Sequence, residues 1–262
     1  MKKLKGKVAA VTGAGGGMGR AYAHRLAQLG ADVAILDIDL NVAKRWKEEL
    51  QADTVMDELR AMGVRSIGVE ADLSKRDQVF AAIETVVRDL GGLDILVNNA
   101  GGAITDIQQS FASISPPEDT ERLMDANFRT TLNCCQAAIP HLKARKGVIV
   151  NVTTVGVDAD DVQARNALYA AAKAAVLRYS KSLAVELGPD GVRVNCIAPG
   201  GMATARIKAM AAVRNLVTAD SAKNIPLRRL GTAEDIAGAM EFLVTDMSAY
   251  VTGECIRVSG GA

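Results

Sequence analysis

Tyr169 and Lys173 stand four residues apart in the alanine-rich stretch Tyr-Ala-Ala-Ala-Lys. On a helix, this spacing places the phenol and the ammonium on one face, one turn apart. A phenol with an ordinary pKa near ~10 carries protons poorly at neutral pH, but a neighbouring cation favours the phenolate. The pair could therefore act as a general acid–base towards a substrate hydroxyl. A plain surface contact has the same spacing, so the assignment depends on its context.

A glycine-rich turn near the amino terminus supplies that context. Residues 12–19 read Thr-Gly-Ala-Gly-Gly-Gly-Met-Gly, after the apolar run 8–11 and before the helical stretch 20–29. Glycines let the backbone approach an anion closely, and a helix start offers free N–H groups. The spacing is Gly-x-x-x-Gly-x-Gly rather than the strict G-x-G-x-x-G fingerprint, because Met18 and Arg20 replace the third glycine. The turn predicts a phosphate cradle.

Polar residues also close the next predicted strands. Asp37 ends the second strand, Asp72 the third, and residues 98–101, Asn-Asn-Ala-Gly, the fourth. A carboxylate at Asp37 can accept hydrogen bonds from an adenosine ribose and repel a 2′-phosphate, and no Lys or Arg stands immediately before Gly17 to attract one. NAD is therefore favoured over NADP. Each group could instead form an ordinary turn, but their shared position at strand ends favours a binding cleft.

Strand and helix patterns alternate along the whole chain, and several strands are continuous apolar runs. That pattern is typical of parallel strands covered by helices on both faces. We predict a single α/β domain over 1–262, a Rossmann-type, doubly wound, seven-stranded parallel sheet that binds its ligand at the carboxyl strand ends. The predicted strands are 7–12, 32–37, 65–70, 93–98, 148–152, 192–198 and 255–258, and the predicted helices are 19–29, 41–62, 75–90, 120–143, 166–187 and 233–245.

Composition narrows the classes of function. The 262 residues are 49% hydrophobic, with 31 basic against 30 acidic side chains, a balance that argues against nucleic-acid or membrane-surface binding. No run reaches the roughly 20 apolar residues of a membrane span. The four cysteines lack Cys-x-x-Cys spacing and are predicted to be buried free thiols in a reducing cytoplasm. The two histidines are isolated, so no metal site is expected.

These motifs together resemble the short-chain dehydrogenase/reductase family, in its common subtype of about 250 residues, and the similarity covers essentially the whole chain. The resemblance rests on the glycine turn, the acidic end of strand two, Ala-Asp-Leu at 71–73, Asn-Asn-Ala-Gly at 98–101, Tyr-Ala-Ala-Ala-Lys, and Pro-Gly-Gly-Met-Ala-Thr at 199–204. It implies that Tyr169 is the general acid–base and that Lys173 binds the nicotinamide ribose and favours the phenolate. Asn127 would hold a water in the proton relay.

The resemblance also implies a set of cofactor contacts. Asp72 and Leu73 would touch the adenine, and Asn99 to Gly101 the adjacent ribose. The full set is Gly13, Gly17, Met18, Gly19, Asp37, Ile38, Asp72, Leu73, Asn99, Ala100, Gly101, Tyr169, Lys173, Pro199, Gly200, Met202 and Thr204.

The main departure from the family falls at the substrate-orienting hydroxyl. Where relatives carry Ser-Ser, this chain has Thr153-Thr154, so Thr154 takes the catalytic position. Threonine keeps the hydroxyl that can donate to a substrate carbonyl, while its methyl crowds the pocket.

Three segments are open to two interpretations. The family resemblance implies that the loop after Thr154 is about two residues longer than usual, and its aspartates suit a solvated loop better than a metal site. The long 41–62 segment, with Trp46 and Leu50 on one stripe, suits core or interface packing. A substrate loop is expected at about 201–226, where cations could meet an anionic substrate or simply face solvent. The loop residues concerned are Asp158, Asp160, Asp161, Arg206, Lys208, Arg214 and Lys223.

The sequence therefore predicts an NAD-dependent enzyme that oxidises a secondary alcohol to a ketone. One alternative is an NADPH-dependent reductase of 3-oxoacyl thioesters. Asp37 and the lack of a basic residue at Gly16 argue against this alternative. The other is a non-catalytic dinucleotide sensor, suggested by Thr154. Small and apolar residues around more than one face of the 120–143 and 166–187 helices predict a homo-oligomer. The family resemblance implies that these helices pair with their symmetry mates and that the C-terminal strand and last helix form a second interface, which together give a homotetramer.

Overall fold

One parallel sheet of seven strands runs through the described part of the chain, in the order β3-β2-β1-β4-β5-β6-β7. The computed structural model describes residues 2–157, 164–205 and 221–262. The strands are β1 Val8–Thr12, β2 Asp32–Asp37, β3 Ser66–Glu70, β4 Ile95–Asn98, β5 Val148–Val152, β6 Arg193–Pro199 and β7 Cys255–Val258. The predicted doubly wound fold is confirmed, and each strand lies within two residues of its predicted bounds.

Helices cover both faces of this sheet. They are α1 Gly17–Gln28, α2 Val42–Arg45, α3 Val55–Ala61, α4 Arg76–Leu90, α5 Pro117–Met124, α6 Thr130–Arg145, α7 Ala167–Leu187 and α8 Ala233–Val244. Alternate strand residues belong to different cores, because successive side chains point to opposite faces. Ala9 and Val11 pack in the core that contains α1 and α8, whereas Val8 and Ala10 pack in the core that contains α4, α6 and α7.

The predicted 41–62 helix is wrong. The chain forms only the short helices α2 and α3, and Lys47 between them adopts a left-handed backbone with φ of 52°. Thr54 starts a new helix, because its hydroxyl accepts a hydrogen bond from the backbone N–H of Asp57 at 3.1 Å. The apolar spacing of Trp46 and Leu50 looked helical, but this turn and cap divide the segment.

The predicted 120–143 helix is longer and is interrupted. It begins with α5 at Pro117 and ends with α6 at Arg145, and a π-helical segment, Asp125–Arg129, lies between them. A π-helical turn holds more residues than an α-helical one and often marks a functional position. Here it carries Asn127, whose side chain is fully buried.

The cysteines follow the sequence prediction closely. All four are free thiols; Cys134, Cys135 and Cys196 are buried, and Cys255 is half-buried. No helix in the described ranges is long and apolar enough to cross a membrane.

Candidate active site

The glycine-rich turn after β1 is locked to the turn after β4. The buried Thr12 hydroxyl accepts hydrogen bonds from the backbone N–H groups of Asn99 at 2.9 Å and Ala100 at 3.0 Å. In return, the Asn99 amide donates to the carbonyls of Thr12 at 3.1 Å and Gly13 at 2.9 Å. Gly13 has φ of 62°, and a Cβ there would lie 2.8 Å from the Ala100 Cα. The two turns therefore form one rigid cradle at the point where the strand order reverses.

The amino terminus of α1 opens onto this cradle. The N-cap residue Gly16 supplies no side-chain cap, so the first N–H groups of the helix depend on other partners. One of them, Gly17 N–H, donates to Glu48 Oε1 at 2.7 Å. A Cβ on Gly19 would collide with the Gly13 carbonyl and the Ala14 backbone, which explains why glycine is needed there. Glu48 was not among the predicted site residues, because it lies in the segment that was predicted to be helical.

Asp37 lies beside the same turn, as predicted from its place at the end of β2. Its side chain is buried and accepts from Gly15 N–H at 2.9 Å and Asp39 N–H at 3.2 Å. Burial raises the pKa of this carboxyl, although the hydrogen bonds from Gly15, Asp39 and Ile38 oppose that rise. The next side chain, Ile38, is 66% exposed and forms an apolar surface beside the carboxylate.

Asp72 forms an ordinary turn, which the sequence left open as the alternative to a role in a binding cleft. Its Oδ1 accepts from the Ser74 backbone N–H at 3.0 Å and from the Ser74 hydroxyl at 2.7 Å. Leu73 is buried in the core. Neither contact excludes an adenine beside this turn, so the predicted adenine contacts of Asp72 and Leu73 stay predictions.

Lys173 and Tyr169 occupy the first turns of α7. Lys173 is 3% exposed, and its Nζ donates to the Val152 carbonyl at the carboxyl end of β5, at 2.8 Å. Burial lowers the pKa of this ammonium to about 8. Tyr169 is half-buried and lines a small cavity with Thr105 and Leu123. The fold thus places a buried cation one helical turn from a phenol.

Asn127 ties the π-helical segment to the loop after β4. Its amide nitrogen donates to the Leu123 carbonyl at 2.9 Å and the Gly102 carbonyl at 3.2 Å, and its Oδ1 accepts from Gly102 N–H at 2.9 Å. A Cβ on Gly101 would lie 2.5 Å from that Oδ1. The side chain therefore fixes the loop that continues from the cradle, and its predicted role in holding a water stays a prediction.

The two threonines after β5 differ in what their hydroxyls do. Thr153 is buried, and its hydroxyl donates to the Ile197 carbonyl at 3.2 Å. Thr154 is only half-buried, and its hydroxyl has no hydrogen-bond partner among the described residues. Of the two hydroxyls, that of Thr154 is the one without a partner among the described residues, and its predicted role towards a substrate stays a prediction.

The segment after β6 closes the other side of the cradle. Pro199 ends the strand, and Gly200 packs so closely that a Cβ would lie 2.8 Å from the Ser259 Cα. Met202 is buried and pairs with Gly231 in an isolated bridge. Thr204 lies with Gly17 and Met18 along a groove of about 840 Å³.

Parts of the predicted loops lie outside the described residues. These are Asp158, Asp160 and Asp161 of the long loop, and Arg206, Lys208 and Arg214 of the substrate loop, whereas Lys223 belongs to the short 3-10 helix Ser221–Asn224. In the described ranges, no three His, Cys, Asp or Glu side chains are grouped to hold a metal ion.

The arrangement fits a dinucleotide on one side and a proton carrier on the other. The glycine turn exposes backbone, the Asp37 carboxylate contacts it at Gly15 N–H, and Tyr169 lies one helical turn from the Lys173 ammonium at the carboxyl end of β5. Such a site belongs to an oxidoreductase with a Rossmann-type fold.

Comparison with known proteins identifies the family. A family model described as enoyl-(acyl carrier protein) reductase matches residues 13–262. The chain is 42% identical to a cyclohexanol dehydrogenase of Rhodococcus sp. (strain TK6), over 98% of this chain and 96% of that protein. It is 36% identical to a 3-oxoacyl-[acyl-carrier-protein] reductase of Chlamydia muridarum, over 98% of both. The chain belongs to the short-chain dehydrogenase/reductase family.

Solved structures show the same fold. A short-chain dehydrogenase/reductase from Mycobacterium marinum matches with a TM-score of 0.86 and 30% identity, over 99% of this chain and 96% of that one. A 7α-hydroxysteroid dehydrogenase complexed with NADH and 7-oxo glycochenodeoxycholic acid matches with a TM-score of 0.85 and 30% identity, over 100% and 96%.

Proposed function

We propose that this protein is an NAD-dependent oxidoreductase that interconverts a secondary alcohol and a ketone. The observation that carries the proposal is the buried Lys173 ammonium, held on the Val152 carbonyl one helical turn from Tyr169. Among the described residues, Lys173 has no carboxylate partner. A buried cation in that situation is costly, and such groups cluster at functional sites. Beside Tyr169, this cation favours the phenolate that an alcohol oxidation requires.

The chain's own residues then divide the work. NAD, when bound, supplies the hydride acceptor. The Tyr169 phenolate accepts the proton of the substrate hydroxyl, while the Thr154 hydroxyl donates a hydrogen bond to the substrate oxygen. Lys173 would hold the nicotinamide ribose as well as stabilise the phenolate. Asn127 would position the 101–102 loop against the site through its amide contacts.

The remaining predicted cofactor contacts form the walls of the cradle. The backbone of the glycine turn and the start of α1 would bind the pyrophosphate, Asp37 and Ile38 the adenosine ribose and adenine, and the 199–204 segment the nicotinamide end. We expect Asp37→Ser to narrow the preference for NAD over NADP by roughly a hundredfold, since it removes a close charge repulsion of a few kcal/mol. Steady-state kinetics with both cofactors measure this change, and a wild-type preference for NADP would overturn the assignment.

A cyclic secondary alcohol is the substrate class to test first, because a relative that is 42% identical is named for cyclohexanol. The experiment is a panel of cyclic alcohols, aliphatic alcohols and 3-hydroxyacyl thioesters, assayed with NAD and NADP. We expect the highest kcat/KM for a secondary alcohol with NAD. Reduction of a 3-oxoacyl thioester with NADPH as the best reaction would favour the alternative suggested by the 3-oxoacyl reductase relatives. Tight NAD binding without any turnover would favour a sensor.

We further propose that the enzyme assembles as a homotetramer, through one interface formed by α6 and α7 and a second formed by α8 and β7. Part of the small-residue excess on α6 is used within the chain, because Cys134, Cys135 and Ala138 are fully buried in its own core. On α7, however, Ala171 is exposed and Val185 is 81% exposed, which leaves apolar surface for a partner helix. Light scattering at micromolar concentration tests the assembly, and a monomer would refute it. Free thiols throughout suit a reducing compartment such as the cytoplasm.

A further inference from the structure

The segment Val42–Glu48 lies against the glycine run of the cradle. Ala43 N–H donates to the Gly15 carbonyl at 2.8 Å, and Glu48 N–H donates to the Ala43 carbonyl at 2.9 Å. The left-handed turn at Lys47 reverses the chain, so that the Glu48 side chain points back to the start of α1. The contact is therefore built by backbone geometry rather than by a loose surface side chain.

Two carboxylates bracket the three consecutive glycines 15–17. Asp37 Oδ2 accepts from Gly15 N–H at 2.9 Å, and Glu48 Oε1 accepts from Gly17 N–H at 2.7 Å. The residue between them is tightly packed, because a Cβ on Gly16 would lie 3.0 Å from Glu48 Oε1 and 3.1 Å from Ala43 N. The adenosine side of the cradle thus has an acidic group at each end of the glycine run.

The nearby cation, Arg20, offsets the charge of this pair only in part. Arg20 approaches Glu48 Oε2 at 3.3 Å, but its shorter contacts go to Glu58, at 2.6 Å from Nη2 and 2.9 Å from Nε. One guanidinium therefore serves two glutamates, while Asp37 has no ion-pair partner among the described residues. The Glu48 side chain is only 10% exposed, so solvent screens its charge weakly.

We propose that Glu48 is a second determinant of cofactor choice, whose carboxylate acts with that of Asp37 to exclude a 2′-phosphate from the glycine run. The proposal rests on the NAD-linked function proposed above. A phosphate on the ribose would bring negative charge between two acidic groups, and it would find the Gly17 N–H already engaged. Replacing Asp37 alone should therefore leave part of the discrimination in place.

Glu48→Gln tests the proposal with little structural change, because a glutamine oxygen can still accept from Gly17 N–H. Glu49→Gln is the matched control, since the Glu49 side chain is exposed and only its backbone carbonyl contacts Arg20. Both changes are made in the Asp37→Ser protein. Calorimetry measures the binding of AMP and of adenosine 2′,5′-bisphosphate, and the fluorescence of Trp46, the sole tryptophan, provides a second readout beside the site. Thermal unfolding checks that each variant is folded.

We expect Glu48→Gln to tighten adenosine 2′,5′-bisphosphate about tenfold at low salt and to change AMP binding less than about twofold, with the gain shrinking as salt rises. Glu49→Gln should change neither. Equal tightening of both ligands would overturn the proposal, because Glu48 would then compete with any phosphate. No change in either ligand would overturn it too. If the wild-type protein itself binds the bisphosphate more tightly than AMP, the NAD assignment fails before Glu48 is in question.

Discussion

Buried charges are compensated differently at the two ends of the parallel strands. The amino ends of the strands form the amino edge of the sheet, and their carboxyl ends form the carboxyl edge. At the amino edge, Asp94 precedes β4 and is 4% exposed, yet its carboxylate accepts from Val8 N–H at 2.9 Å and pairs with Lys7 and Arg145, each at 3.0 Å. At the carboxyl edge, Lys173 and Asp37 are buried to a similar degree. Among the described residues, their hydrogen-bond partners are backbone groups alone.

We interpret this difference as one between residues that stabilise the fold and residues that, in the proposed function, bind a ligand. A buried charge that has both hydrogen-bond partners and opposite charges beside it contributes to stability. A buried charge without a countercharge has its pKa shifted so that the neutral form is favoured. Burial accordingly lowers the pKa of Lys173 to about 8 and raises the pKa of Asp37. In the proposed function, these two charges at the carboxyl edge interact with the bound dinucleotide and substrate.

The strongest test of this comparison at the carboxyl edge is Tyr169→Phe. We expect kcat to fall about a thousandfold or more while NAD affinity stays within a few-fold, because the phenol carries the proton and the cradle is untouched. Tyr179→Phe on the same helix is the control, since that ring packs edge-on against Phe128 at 5.9 Å and should leave kcat unchanged. Lys173→Ala should weaken both binding and turnover. Near-normal activity in Tyr169→Phe would contradict the proposed mechanism.

At the amino edge, Asp94→Ala should reduce stability and leave the chemistry alone. We expect the free energy of unfolding to fall by about 2–3 kcal/mol, because the carboxylate satisfies a backbone N–H and two partly exposed cations. The kcat per folded molecule should not change. Asp89→Ala, which breaks the exposed pair with Arg88, should have a much smaller effect on denaturant unfolding. A large loss of kcat in folded Asp94→Ala protein would contradict the expectation that Asp94 contributes to stability alone.

Within the carboxyl edge, we expect the neighbouring residues Thr153 and Thr154 to have different roles. Thr154→Val should lower kcat/KM by about a hundredfold, the usual cost of deleting one oxyanion-type donor, and Thr154→Ser should retain activity. Thr153→Val should reduce stability instead, since that hydroxyl donates to the Ile197 carbonyl. Kinetics and unfolding curves on the three variants separate these effects. An active Thr154→Val enzyme would transfer the role to another donor.

Lys173→Met gives the smallest expected effect, and its sign is opposite to that of Asp94→Ala. The unfolded lysine holds its proton up to a pKa of 10.5, but the folded one only up to about 8, so below pH 8 folding carries the full cost of this buried charge. We expect the variant to be more stable than the wild type by about 1–3 kcal/mol at pH 7. The gap should shrink as the pH rises from about 8 towards 10.5. Denaturant unfolding across this range decides, and a marked loss of stability at pH 7 would contradict the account.

The fold and the positions at the carboxyl edge were predictable because they depend on local patterns. Apolar runs marked the strands, and the residues that end them, such as Asp37, had to meet at one edge. Glu48 was not predictable, because its contact with Gly17 depends on a left-handed turn at Lys47 inside a segment with helical spacing. The hydrogen bonds from the Asn127 amide to the Leu123 and Gly102 carbonyls likewise depend on a π-helical turn, which the hydrophobic periodicity of the sequence does not predict.

Calorimetric titration of the wild-type protein with NAD and then with NADP, in one low-salt buffer, tests the central claim most directly. The carboxyl edge holds Asp37 in a buried position without a cationic partner among the described residues, so a dinucleotide with an unmodified ribose should fit and a 2′-phosphorylated one should not. The account predicts that NAD binds at least roughly a hundredfold more tightly than NADP, which corresponds to about 2.7 kcal/mol. Equal affinities, or tighter binding of NADP, would contradict it.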